Sequence, residues 1–183
     1  MISRRRVLAS GLAGTAVLCS RALLGAQNPG VPNAAAKGIT LTNLHTGERL
    51  EIEYFRDGHY VPEAMTSIEA LLRDFRNGDK HPIDPKLMDY LVDVAAQAGR
   101  PAAYSVISGY RSPETNERLH ERSSGVSQHS LHMQGRAIDV RLSGVDCRDL
   151  AGRAEALKRG GVGYYRASDF VHLDTGAFRT WRG

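Results

Sequence analysis

The chain has only two cysteines among 183 residues, no apolar run long enough to cross a bilayer, and no net excess of basic charge in its main body. Each shortage excludes something. A transmembrane helix needs about 20 uninterrupted apolar residues, and no such run occurs. Residues 1–26 carry four arginines and no acid; setting them aside reduces the 24 basic residues to 20, against 20 acidic ones. The alkaline isoelectric point is therefore no sign of nucleic-acid or membrane binding, and no arginine-rich stripe with interleaved aromatics supports either. Excluding the same segment removes Cys19 and leaves Cys147 alone, so no internal disulfide can form. Cys147 reads as a small residue on a helix face rather than a nucleophile.

Ser3-Arg4-Arg5-Arg6-Val7-Leu8 is a basic run leading into the apolar stretch from Val7 to Leu18. It resembles a twin-arginine export signal, with Arg4 and Arg5 as the pair and a cut after Leu24-Gly25-Ala26. An uncleaved anchor is the alternative, disfavoured by the short apolar run and by Arg21. The expected organisation is a signal peptide over 1–26, a flexible linker over 27–37 rich in Pro, Ala, Asn and Gly, and one domain over 38–183. The implied location is the periplasm, with no stable membrane insertion after cleavage.

Within that domain, 39–42 and 50–54 alternate apolar and polar residues around Thr46-Gly47, the pattern of a β-hairpin, and a second turn follows at Arg56-Asp57-Gly58. Helical spacing runs from Ala64 to Phe75. Asp84-Pro85 caps a helix that ends near Gly99. A strand over Tyr104–Ser108, a polar helix over Pro113–Arg122, a strand over Ala137–Leu142 and a helix over Arg148–Arg159 come next. Val162–Tyr165 and Phe170–Asp174 form an antiparallel pair that closes the chain. No repeat or second-domain boundary is visible. The fold class is α+β: a small single domain with a central antiparallel sheet flanked by helices.

The chemistry lies in Ser130-Leu131-His132-Met133-Gln134-Gly135-Arg136-Ala137-Ile138-Asp139 and, some thirty residues later, Phe170-Val171-His172-Leu173-Asp174. Two imidazoles and a carboxylate are a ligand set for a catalytic zinc with one coordination position left open. His132 and Asp139 would lie roughly 20 Å apart on one straight strand at about 3.3 Å per residue. They can share a metal only if the chain bends between them, and Gly135 supplies the bend. Taken singly, each residue has a plainer role: a hydrogen-bonded packing histidine, or a surface aspartate.

The spacing Ser130-x-His132-x-x-Gly135-x-Ala137-x-Asp139 with a later His172, preceded by Ser108-Gly109-Tyr110-Arg111-Ser112, resembles the zinc motif of the D-Ala-D-Ala carboxypeptidase and dipeptidase group. That group shares the hedgehog/DD-peptidase fold. The stretches Ser123-Ser124-Gly125-Val126, His132 to Val140, Val162-Gly163-Tyr164-Tyr165 and Phe170-Val171-His172 are most similar to its murein endopeptidase K branch. The likeness spans roughly Gly38 to the C-terminus.

The resemblance implies zinc held by His132, Asp139 and His172, with Arg111 binding substrate and stabilising the developing oxyanion. A guanidinium suits that role because it stays charged and presents several donors; the plainer reading of Arg111 is a surface ion pair. Ser130 is placed to hydrogen-bond substrate, and no acylation machinery accompanies it. Asp169, three residues before His172, stands where these relatives place their catalytic acid, commonly Glu. Asp174 competes for that role, since it shares a strand face with His172; otherwise Asp169 is a turn residue and Asp174 an orienting partner. His129 is a supporting or exposed residue, and His45, His59, His81 and His120 are structural or solvated.

The implied activity is zinc-dependent hydrolysis of peptidoglycan cross-links containing D-Ala or diaminopimelate. Two alternatives stay open: a D,D- or L,D-carboxypeptidase trimming stem peptides, and a zinc-stabilised cell-wall binding module without catalysis.

Overall fold

A computed structural model describes residues 35–123 and 125–183. The expected signal peptide, Cys19, most of the linker and Ser124 lie outside the described residues.

Strands β1 (Lys37–Asn43), β2 (Arg49–Arg56) and β3 (His59–Tyr60) form the N-terminal meander. The turns fall where the sequence places them, with Gly47 and Gly58 at positive φ. Helix α1 is Pro62–Leu71 and α2 is Pro85–Gln97. The Asp84 carboxylate caps α2 by accepting from the Lys86 amide. Then come β4 (Ala103–Ser108), α3 (Pro113–Arg122), a 3-10 turn at Leu131–Gln134, β5 (Ala137–Leu142), α4 (Cys147–Leu157), β6 (Gly161–Tyr165), β7 (Phe170–Asp174) and β8 (Arg179–Arg182). The eight strands make one sheet in the order β3-β2-β1-β4-β5-β7-β6-β8.

The α+β class holds, and the sheet proves to be mixed: β1–β4 and β6–β8 pair in parallel, the other neighbours antiparallel. β8, like the two-residue β3 and the 3-10 turn, is an element the sequence does not announce. It is four residues long, mostly exposed, and lacks an apolar alternation to mark it.

Helix α1 ends four residues before the expected Phe75. The Leu72 carbonyl accepts from the Tyr110 amide at 2.8 Å instead of continuing the helix, and the Asp74 carboxylate turns back to bond the Arg76 amide. Phe75 leaves the helix to stack on His45. Helix α4 closes two residues early, because Lys158 adopts a left-handed φ of 51°.

Alternation along β5 and β7 divides core from site. Ile138, Val140, Leu142, Val171 and Leu173 join the apolar core, which includes Leu87, Leu91 and Val94 of α2 and Leu150 and Ala154 of α4. Successive strand residues point to opposite faces, so Asp139, His172 and Asp174 emerge on the other side. All three are nonetheless buried.

Candidate metal centre

The bend expected at Gly135 is a left-handed residue with φ of 64° that ends the 3-10 turn. A Cβ there would stand 2.0 Å from the Pro82 carbonyl oxygen, so only glycine lets the turn dock against that loop. Ser130 caps the turn through its Oγ, which accepts from the His132 amide. His132 is thereby held above β5, and Asp139 and His172 lie directly opposite each other in the β5–β7 register.

Three donor atoms converge. His132 Nε2 is 3.2 Å from His172 Nδ1 and 3.3 Å from Asp139 Oδ1, and His172 Nδ1 is 2.9 Å from Asp139 Oδ1. Bonds of about 2.0–2.1 Å in a tetrahedral site give donor–donor edges of about 3.3 Å, so one triangular face of such a site is already formed.

The remaining ring nitrogens fix the tautomers. His132 Nδ1 lies 2.7 Å from the Gly109 carbonyl oxygen, and His172 Nε2 lies 3.0 Å from Asp174 Oδ2. Each acceptor takes a ring N–H, so in the neutral form of each ring the lone pair stands on His132 Nε2 and on His172 Nδ1. Two lone pairs and a carboxylate oxygen then face one point, an arrangement that a cation satisfies. The residues fit a metal ion.

The electrostatics follow from burial and neighbours. Burial pushes the His132 imidazole below its ordinary value despite Asp139 beside it. For His172 burial acts in the same direction, but hydrogen bonds to Asp139 and Asp174 outweigh it and raise the group to about 9. Burial works against ionisation of Asp139, yet the two imidazoles hold it well below the usual carboxylate range. Asp174 is likewise held low: its burial is outweighed by His172, Arg179 and the Gly176 amide.

The centre opens into a cleft of about 520 Å³ whose walls include Arg111, Ser130, Tyr165, Phe170, Arg179 and Trp181. Arg111 leaves β4 through Gly109, which is pressed against Leu72: a Cβ there would stand 2.5 Å from the Leu72 oxygen. Arg111 is buried, not a surface ion pair. It donates to Asn116 Oδ1 at 3.2 Å and to Ser108 Oγ at 3.4 Å, and lies 3.9 Å from Asp139 Oδ2. A guanidinium has five N–H groups, so Arg111 keeps donors for a ligand.

The structure thus brings together six of the seven residues singled out: Arg111, Ser130, His132, Asp139, His172 and Asp174. Asp174 does not face the cleft as a base. Fully buried, it accepts from the Gly161 and Gly176 amides, from Arg179 and from His172, so it orients His172. Asp169 stays at the rim. Its φ of 50° places it in the β6–β7 turn, and its exposed carboxylate pairs with Arg141 at 3.4 Å. Ser168 and Phe170 on either side of it line the cleft. His129 lines the cleft too, as an exposed residue. Arg179 and Trp181 are wall residues with no signal in the sequence, since they sit on the unannounced β8.

Residues 31–181 match the peptidase M15 family described as peptidoglycan L,D-endopeptidase MepK. A probable peptidoglycan L,D-endopeptidase MepK of Haemophilus influenzae is 40% identical over 146 residues, covering 79% of this chain and 78% of that protein. The peptidoglycan L,D-endopeptidase MepK of Escherichia coli K12 is 37% identical over 181 residues, 98% of this chain and 97% of that one. No solved structure matches.

Proposed function

The chain belongs to the M15 family of peptidoglycan endopeptidases, and from that premise we propose that it is a zinc-dependent L,D-endopeptidase that opens diaminopimelate-containing cross-links between stem peptides. The observation that carries the zinc reading is the triangle of His132 Nε2, His172 Nδ1 and Asp139 Oδ1, with both histidine tautomers committed from behind.

Zinc bound there supplies a Lewis acid that polarises a carbonyl and lowers the pKa of water toward neutrality. The chain's own residues supply the rest. Arg111 directs its free N–H groups at the oxygen that gains charge as water adds to the scissile carbonyl carbon, an electrostatic role favoured by its burial. The Ser130 hydroxyl, whose oxygen accepts from the His132 amide, keeps its own proton to donate to the substrate backbone. Asp169 collects the water proton and passes it to the amine that leaves as the C–N bond breaks. To do so it must leave Arg141 and the Cys147 thiol, its two side-chain partners; the exposed ion pair contributes only about 0–1 kcal/mol of that cost.

Export to the periplasm by the Arg4-Arg5 signal completes the proposal, since the polymer lies outside the inner membrane. Replacing both arginines with lysine should leave precursor in the cytoplasm, whereas unchanged export would point to another route.

The test of activity is digestion of isolated sacculi with zinc-loaded protein, followed by mass spectrometry of the muropeptides. Loss of cross-linked dimers with matching gain of monomers is the expected result. Trimming of terminal residues with cross-links intact would identify a carboxypeptidase instead. No release at full zinc occupancy would identify a binding module.

A further inference from the structure

His172, Gly163 and Trp181 lie in line across three strands: His172 pairs with Gly163 in the β7–β6 register, and Gly163 pairs with Trp181 in the β6–β8 register. Gly163 has no side chain to separate its neighbours. The Trp181 indole occupies the space, and a Cβ on Gly163 would come within 2.4 Å of Trp181 Cε2. The indole reaches the His172 imidazole at a centroid distance of 5.2 Å, and its own orientation is fixed by Nε1 donating to Tyr165 Oη at 3.0 Å.

Two positions earlier on β8, Arg179 grips the carboxylate behind His172. Its Nη1 lies 3.0 Å from Asp174 Oδ1 and its Nη2 2.6 Å from Asp174 Oδ2. A fork contact of this kind fixes the plane of a carboxylate as well as its charge. The guanidinium also lies over the Trp181 ring, 5.1 Å from its centroid. Asp174 Oδ2 is the atom that receives the His172 ring proton.

We propose that Arg179 and Trp181 are positioning residues that make the C-terminal strand part of the metal centre: Arg179 through Asp174 holds the edge of the His172 ring, and Trp181 across Gly163 holds its face. The inference rests on the metal reading of His132, Asp139 and His172 given above. Neither residue supplies a donor atom to the triangle. Both restrict the rotation that would carry His172 Nδ1 out of the donor triangle. Partners behind a ligating histidine commonly set metal affinity by about 10–100-fold.

The readout is zinc affinity of the full-length chain, measured by competition against a chromophoric chelator, beside the melting temperature of the metal-free form. Arg179→Gln and Trp181→Leu should each weaken zinc binding by about tenfold or more. Arg179→Lys and Trp181→Phe, which retain charge or an aromatic face, should recover part of the loss and stand in if the harsher variants melt below the assay temperature. Arg182→Gln is the control: Arg182 lies on the same strand as Arg179 and Trp181, pairs with Glu155 of α4 and, of Trp181, meets only the backbone carbonyl, so the zinc affinity of this variant should equal that of the unaltered chain. A lowered metal-free melting temperature with unchanged zinc affinity in the Arg179 and Trp181 variants would overturn the proposal in favour of a purely structural strand. A raised KM with unchanged zinc affinity would overturn it in favour of substrate contact by Arg179. If the unaltered chain binds no stoichiometric zinc, the metal reading itself fails, a result distinct from either.

Discussion

Asp139 and His172 sit directly opposite each other across β5 and β7, with Asp139 Oδ1 2.9 Å from His172 Nδ1. Backbone pairing fixes where the two side chains leave the sheet, and the hydrogen bond from His172 to Asp174 then sets the direction of the imidazole. The third donor, His132, is brought in by a tight turn. A metal centre built this way is largely formed before its ion arrives, which lowers the ordering cost of binding.

One zinc per chain is therefore the expected stoichiometry, measured by elemental analysis after gel filtration. His132→Ala and His172→Ala should each lose most of the metal and all turnover. Stripping the metal should lower the melting temperature. Linkage makes the difference about 4 kcal/mol where free zinc exceeds Kd by about a thousandfold. Full occupancy in both alanine variants would rule out the assignment.

Asp169 and Asp174 should fail in different ways. Asp169→Asn is expected to retain zinc and lower kcat by about 10²–10⁴, the usual contribution of a general base. Asp174→Asn is expected to weaken zinc by about 10–100-fold, because the amide cannot replace a carboxylate that serves His172 and Arg179 at once. Zinc affinity and kcat measured on both variants decide the matter. A near-normal rate for Asp169→Asn would remove it from the mechanism.

How much of this was legible in the sequence depends on what kind of interaction decides each feature. The β5 and β7 alternations, the Asp84 cap and the Gly135 bend are local, and each falls within a residue or two of where the pattern places it. The end of α1 is not local: the Tyr110 amide, 38 positions along, captures the Leu72 carbonyl. β8 is legible only from its neighbours, since Thr180 and Trp181 become a strand by pairing with Val162 and Gly163. At the site, the converging trio of His132, Asp139 and His172 could be picked out by its resemblance to a known zinc motif, and the shared face of His172 and Asp174 by strand parity. The roles of the two aspartates could not, because they turn on partners elsewhere in the fold: Arg179 for Asp174, Arg141 for Asp169.

Gly135→Ala tests the turn that carries His132. The left-handed backbone conformation and the contact with the Pro82 carbonyl both oppose a methyl group there. A loss of about 1–3 kcal/mol is expected from the backbone alone, and more from displacing Pro82, together with weaker zinc binding. Gly47→Ala is the comparison: its φ is also positive, at 73°, but nothing lies within 4 Å of the added atom. It should cost only about 1–2 kcal/mol and leave zinc affinity unchanged. Equal effects in the two variants on stability and metal would argue against the turn as the determinant of the His132 position.

Rising pH should act in opposite directions on the stability of the metal-free protein and on its affinity for zinc. In the metal-free protein, burial opposes charge on His172, but hydrogen bonds to Asp139 and Asp174 prevail and raise it to about 9. The unfolded imidazole titrates near about 6.5. A raised folded value means that the stabilisation is fully present below about pH 6.5 and is lost as pH climbs through about 9. Zinc binding runs the other way, since the proton shared by His172 Nδ1 and Asp139 must leave before the metal enters. His132, whose value is lowered, adds no proton in that window. Zinc affinity should therefore rise by about tenfold per pH unit between about 6.5 and about 9, with close to one proton released per metal. Chelator competition across that range, paired with melts of the metal-free form, reads both slopes. A flat affinity profile would show that His172 is already neutral in the metal-free centre, and that Asp174 and Asp139 do not hold a proton on it.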